Sequence, residues 1–147
     1  MKNQMHIREA TIEDCPAIYR LNTESLGYSY PEEKTKERLH HILQSPAAKL
    51  FVACAGSEVV GYIHAEDYEC TFQDSRKNII ALAVAAAHQG KGVGTALISA
   101  VEDWARETGA AGIRLVSGIN RTKAHVFYEA RGYTCRKEQK NFVKSLV

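Results

Sequence analysis

The sequence predicts an α/β fold: a single domain over residues 1–147, in which a mixed β-sheet is flanked by helices in the order β-α-α-β-β-β-α-β-α-β-β. Three observations predict it. Apolar residues recur at helical spacing in three segments, and strand-like runs lie between and around them. One of those runs, Ile79 to Val84, is almost wholly apolar, as suits a central strand covered on both faces. No repeat, low-complexity tract or Pro/Gly/Ser linker divides the 147 residues, and a chain of that length needs no metal or disulfide staples.

The elements follow in order. His6 to Ala10 reads as a first strand. Thr11-Ile12-Glu13-Asp14 resembles a capping box with Asp in place of the usual Glu. The helix it opens carries Ile12, Cys15, Ile18 and Leu21 on one face and ends near Gly27. Tyr28-Ser29-Tyr30 is a loop, Pro31 suits a first helical position, and Leu39, Ile42 and Leu43 form the stripe of a second helix. Lys49 to Ala55 and Val59 to Asp67 read as a hairpin about Gly56-Ser57-Glu58. Asp74 to Asn78 reads as a polar loop before the apolar strand. A helix follows with Val93, Leu97, Ala100, Val101 and Trp104 on one side, and Gly109 suits its C-terminal cap. Ile113 to Ser117 is a strand, Thr122 to about Arg131 a short helix that Gly132 can end, and Tyr133–Lys137 with Asn141–Leu146 a last hairpin.

The totals exclude several classes of function. Nineteen basic and 17 acidic residues leave a net charge of +2, too near neutral to argue for nucleic acid or an anionic membrane. The longest apolar run, Ile79 to Ala87, is far short of a membrane span. Cys15, Cys54, Cys70 and Cys135 form no C-x-x-C pair, so no metal site is expected from them. Met1 to His6 carries no apolar signal region, and free thiols in the cytoplasm are the expected state.

Residues 87–97, AHQGKGVGTAL, hold Gly90, Gly92 and Gly94 at the start of a helix, where glycine is least expected. A helix start presents unpaired N–H groups and a partial positive charge, and glycines let phosphate oxygens approach them. A flexible turn before an amphipathic helix is the plainer reading. The pattern is neither a P-loop, since Gly92 follows Lys91, nor G-x-G-x-x-G, since Thr95 stands where the last glycine belongs. A dinucleotide-binding oxidoreductase is therefore a distant third reading of the chain.

Gln89-Gly90-Lys91-Gly92-Val93-Gly94 resembles the Q/R-x-x-G-x-G/A signature of the GNAT superfamily of acyl-coenzyme-A-dependent N-acetyltransferases. Leu82-Ala83-Val84 resembles the end of that family's fourth strand, and Asn120, Ala124, Phe127, Tyr128, Gly132 and Tyr133 resemble its N…A…F-Y…G-F/Y segment. The resemblance implies acetyl transfer from acetyl-CoA, as cosubstrate and without a metal, to a primary amine of a small molecule or peptide by direct attack in a ternary complex. It implies that the pyrophosphate lies on the amides of Gln89, Gly90, Lys91, Gly92, Val93, Gly94 and Thr95. The pantetheine arm would pair with Leu82, Ala83 and Val84, in a slot that a β-bulge opens.

Tyr128 becomes the expected general acid for the departing thiolate, against its plainer reading as a core tyrosine. Asn120 either bonds the cofactor arm or caps the short helix. Lys91, Arg121, Lys123 and Arg131 either screen phosphates or are ordinary solvated surface.

Many members of that family carry a Glu on the fourth strand to take the amine's proton, and here Ile79–Val84 has no acid. Candidates on the neighbouring strand are His64 and Glu66 on one face, and Asp67 and Glu69 on the other, with Glu66 the expected base. A water chain is the alternative. The resemblance places the acceptor between the first two helices and the central strands, walled by Tyr28–Pro31 and by Glu66–Glu69. The missing acid leaves a non-catalytic acyl-CoA-binding module, a sensor or partner subunit, as the alternative function. A homodimer is compatible with an exposed C-terminal edge.

Overall fold

The structure, a computed structural model, describes residues 4–147. The first three residues of the Met1–His6 stretch read above for a signal lie outside the described residues. The chain forms two compact units, residues 1–115 and 116–147.

The first unit is built on a five-stranded sheet in the order β1-β2-β3-β4-β5. The strands are β1 (Met5–Glu9), β2 (Ala48–Ala55), β3 (Glu58–Cys70), β4 (Gln73–Val84) and β5 (Gly112–Leu115). Successive strands pair antiparallel up to β4, and β4 pairs with β5 in parallel. Helices α1 (Cys15–Glu24) and α2 (Glu32–Leu43) join β1 to β2, and α3 (Val93–Glu107) makes the crossover that a parallel β4–β5 pair requires.

The first turn is as the sequence predicts. Thr11 N–H donates to Asp14 Oδ2 at 2.8 Å, and Arg8 grips both oxygens of the same carboxylate at 2.8 Å, tying β1 to the helix start. The hydrogen bonds from Arg8 hold the Asp14 carboxyl below its ordinary range, against the opposing effect of burial.

Helices α1 and α2 cover one face of the sheet, where Ile18, Leu21 and Leu39 join Leu50, Val52, Cys54, Tyr62 and Ala83 in one buried cluster. Tyr62 Oη donates to Asn22 Oδ1 on α1, and burial pushes this phenol up to about 12. Helix α3 covers the other face and buries Val93, Leu97, Ile98, Val101 and Trp104. Gly61 permits the close approach of its first turn: a Cβ there would lie 3.0 Å from Ala83 O, 3.1 Å from Val93 Cγ1 and 3.2 Å from Leu97 Cδ1.

Two expectations are corrected. Asp74 to Asn78 is not a loop but the first half of β4, continuous with the apolar run. Its polar residues are satisfied across the sheet: Lys77 pairs with Asp67 at 2.6 Å and lies 3.9 Å from the Trp104 ring centroid, and Ser75 Oγ donates to Glu69 Oε1 at 2.7 Å. Partners of this kind turn a polar string into a strand, and residue type alone does not show them.

The second unit holds α4 (Thr122–Ala130), closed by Gly132. The last hairpin does not form: residues 134–147 carry no strand and are exposed throughout. Residues 136–140, RKEQK, contain no turn-forming glycine or asparagine, and an isolated two-stranded hairpin is marginal in water. The sheet therefore has five strands where the sequence predicts seven.

Candidate active site

The β4-to-α3 connection is organised by its backbone. After Val84, Ala85 N–H donates to Val60 C=O at 2.8 Å, and a 3-10 turn runs over Ala86–His88. The Gln89 side chain folds back to donate to Val84 C=O at 3.1 Å, and Ser25 Oγ from the end of α1 donates to the same oxygen at 3.2 Å. Gly90 and Gly92 have φ of +75° and +87°, a region that costs side-chain-bearing residues strain. No side chain caps α3, and Ala96 N–H donates back to Gly92 C=O at 3.0 Å. By helix geometry the N–H groups of Val93 and Gly94 have no intrahelical partner. A Cβ on Gly90 or Gly92 would meet nothing within 4 Å, so these glycines are dictated by backbone conformation, and the ground above the turn is open. Lys91 is exposed beside it, and Thr95 is half-buried on the first turn of α3.

Upstream, β4 carries a bulge. His64 pairs with Ala81 and Ala65 with Ile79, so Ile80 is an extra residue, and its side chain is exposed. Pairing with β5 stops at the same point, at Ile79 opposite Leu115. Beyond it, β4 keeps β3 on one side, with Leu82 opposite Ile63, Ala83 opposite Tyr62 and Val84 opposite Gly61. Among the described residues no strand pairs its other edge over 80–84. That open edge leads straight into the glycine turn.

The base candidates separate into two sets. Asp67 is bound to Lys77 on the α3 side, and Glu69 is held by Ser75 near the hairpin end. His64 and Glu66 share the other face, as alternation predicts, and lie next to the bulge. Burial pushes the His64 imidazole below its ordinary value, opposed by the Glu66 charge, so the ring is neutral at pH 7. Glu66 is half-buried and accepts from Asn78 Nδ2 at 3.4 Å. Asn78 Oδ1 in turn accepts from Arg114 Nη1 at 2.7 Å, and the Arg114 guanidinium lies 4.4 Å from the Tyr68 ring centroid. Sequence reasoning missed Arg76, Asn78 and Arg114 because it placed the first two in a loop. Tyr28 and Tyr30 are exposed on the α1–α2 loop, and the Tyr28 phenol adds to the upward push on Tyr62.

In the second unit, Tyr128 is half-buried on α4, edge-on to Phe127 at 5.3 Å and to Tyr133 at 6.0 Å between ring centroids. Burial raises its phenol above the ordinary value, and the Arg121 charge opposes the rise. Asn120 is exposed and does not cap α4, whose N-cap residue is Arg121. Arg121, Lys123 and Arg131 are exposed.

In fold and in kinship the chain is an acyltransferase. The sequence pattern of the Acetyltransferase (GNAT) family matches residues 15–133, and the chain belongs to that family. It is 28% identical over 141 residues to the aminoalkylphosphonate N-acetyltransferase of Salmonella typhimurium, covering 95% of this chain and 90% of that one. It is 30% identical over 132 residues to the aminoglycoside N(6')-acetyltransferase type 1 of Stenotrophomonas maltophilia, covering 86% and 84%. A transcriptional regulator from Bacillus halodurans has a TM-score of 0.87 at 25% identity, covering 96% of this chain and all of the other. The aminoglycoside acetyltransferase AAC(6')-Iy, solved with a bisubstrate analogue of CoA, has a TM-score of 0.85 at 20% identity, covering 97% and 99%, which is a likeness of fold. Among the described residues no helix is long and apolar enough to cross a membrane.

Proposed function

We propose that this chain transfers the acetyl group of acetyl-CoA to a primary amine of a small molecule. The observation that carries the reading is the continuity of two features: the β4 edge left open after Ile80, and the left-handed glycine turn that follows it. An extended, amide-bearing arm suits the first, through main-chain bonds to Leu82, Ala83 and Val84. A diphosphate suits the second, on the amides of Gly90, Lys91, Gly92, Val93 and Gly94, while Gln89 N–H already donates to Ala86 C=O at 3.4 Å. The open ground above Gly90 and Gly92 fits such a group. Both curated relatives bear the names of amine acetyltransferases, which supports an amine acceptor here.

In this reading the neutral amine attacks the thioester carbonyl, and the N–C bond forms as the C–S bond breaks. The amine proton passes towards Glu66, directly or through water, and Tyr128 protonates the leaving thiolate. The neutral His64 imidazole flanks Glu66 without competing for the amine by charge. Asn120 holds the cofactor arm. The protein works in the cytoplasm as a monomer or homodimer, with neither nucleic acid nor membrane as partner.

The test is thiol release from acetyl-CoA, followed across a panel of amines. Amine-dependent release well above hydrolysis is the expected result. Coenzyme binding without turnover on any amine would leave only the binding-module reading.

A further inference from the structure

Five lysine and arginine side chains lie on the strands of the sheet. Three carry a carboxylate: Arg8 has Asp14, Lys49 has Glu9, and Lys77 has Asp67. Arg76 on β4 and Arg114 on β5 are half-buried, and among the described residues neither is paired with a carboxylate. Taking a guanidinium partly out of water without a counter-charge is costly, so two together call for an explanation.

The register puts both on one face. Arg76 stands opposite Tyr68 and Gly112, and Asn78 opposite Glu66 and Arg114. Arg114 is oriented twice, by its bond to Asn78 Oδ1 at 2.7 Å and by the Tyr68 ring beneath it. Only one of its five N–H donors is used in that bond. Gly112 brings no side chain to the ground beside Arg76, whose Nε lies 3.9 Å from where a Cβ would stand. The register also puts Glu66 on this face, yet the Asn78 amide stands between it and Arg114, donating to one and accepting from the other. The result is a negative group and two positive groups, held apart on one strand surface.

Resting on the acetyl-transfer reading, we infer that the acceptor is an amphoteric small molecule: its amine lies at Glu66, and an oxyanion a few bonds away is bound by Arg76 and Arg114. Arginine forks match carboxylate and phosphonate geometry, and a purely cationic acceptor meets two like charges there. The Asn78 spacer keeps Glu66 from neutralising Arg114, so both ends stay available to one ligand.

Matched acceptors test this: 3-aminopropionate, 3-aminopropanol and propane-1,3-diamine, with 2-aminoethylphosphonate as a second anion. Thiol release should favour the anionic acceptors over the alcohol and the diamine in kcat/KM. Arg114→Gln and Arg76→Gln should each lower the ratio of anionic to neutral kcat/KM by about tenfold or more, the worth of one charge-assisted hydrogen bond. The loss should sit in KM, and Arg114→Lys should restore part of it. Equal use of all three matched amines by the wild type, or an unchanged ratio in both variants, overturns the inference and leaves acetyl transfer standing. If no amine is a substrate, the transfer reading fails, and binding decides the rest. Methylphosphonate, titrated by NMR into the acetyl-CoA-saturated protein, should then shift resonances of the wild type but not of the Arg76→Gln/Arg114→Gln pair. Shifts equal in both, or absent in both, overturn the site.

Discussion

A phenol can assist a departing thiolate only while it holds its own proton. Burial of Tyr128 disfavours its charged form and so keeps the proton in place across the neutral range, and Arg121 pulls the other way. The same physics makes His64, on the face beside the bulge, a neutral imidazole, and the charge of Glu66 two residues on opposes that shift. Tyr128→Phe removes one hydroxyl and little packing, because the ring contacts with Phe127 and Tyr133 do not need the oxygen. Turnover should fall by about 10²–10⁴-fold, the range for a lost general acid, with acetyl-CoA affinity nearly unchanged. Turnover equal to wild type in a steady-state assay removes Tyr128 from the mechanism.

The glycine turn shows what an element contributes beyond its side chains. Gly92 stands at the N-cap of α3 with φ +87°, and Gly90 two residues earlier with φ +75°. Gly92→Ala meets no steric obstacle, so its cost is conformational: about 1–2 kcal/mol of left-handed strain, or a turn that moves to escape it. Either way acetyl-CoA should bind more weakly, and chemical denaturation should show a loss in that range for the free protein. An Ala variant that binds and folds like wild type would mean the amides of the turn hold nothing. This element was legible in the sequence because three glycines against a helix start violate propensity, and such violations mark function. The polar half of β4 was not legible. Arg76, Lys77 and Asn78 are strand residues because Tyr68, Asp67 and Glu66 stand opposite them on β3, and Ser75 bonds the Glu69 side chain; no local pattern announces a partner several residues away. The last hairpin failed in the opposite sense: its apolar residues suggest strands, but residues 134–147 bury no face against which they would form.

For the whole molecule, the core was readable and its consequence can be measured. Of the residues the helical stripes named, Cys15, Ile18, Leu21, Leu39, Val93, Leu97, Val101 and Trp104 are buried, and Ile12, Ile42, Leu43 and Ala100 are half-buried. What periodicity could not show is that β4 parts from β5 after Ile79, so that among the described residues no strand pairs that edge over 80–84. That parting leaves a strand edge without a strand partner, and a ligand that pairs with its backbone stabilises only the folded state. Acetyl-CoA at about a hundred times its Kd should add about 2.7 kcal/mol, which for a domain of this size raises Tm by roughly 5–10 °C. The two halves of the proposed seat can be separated in the same experiment. Pantetheine has the arm for the β4 edge but no pyrophosphate, so it should produce a much smaller shift at equal concentration, and Gly92→Ala should reduce the shift from acetyl-CoA without altering the one from pantetheine. Equal shifts from both ligands would place the binding energy on the strand edge and take the pyrophosphate away from the turn, and no shift from any acyl-CoA in folded protein would remove the cosubstrate from both.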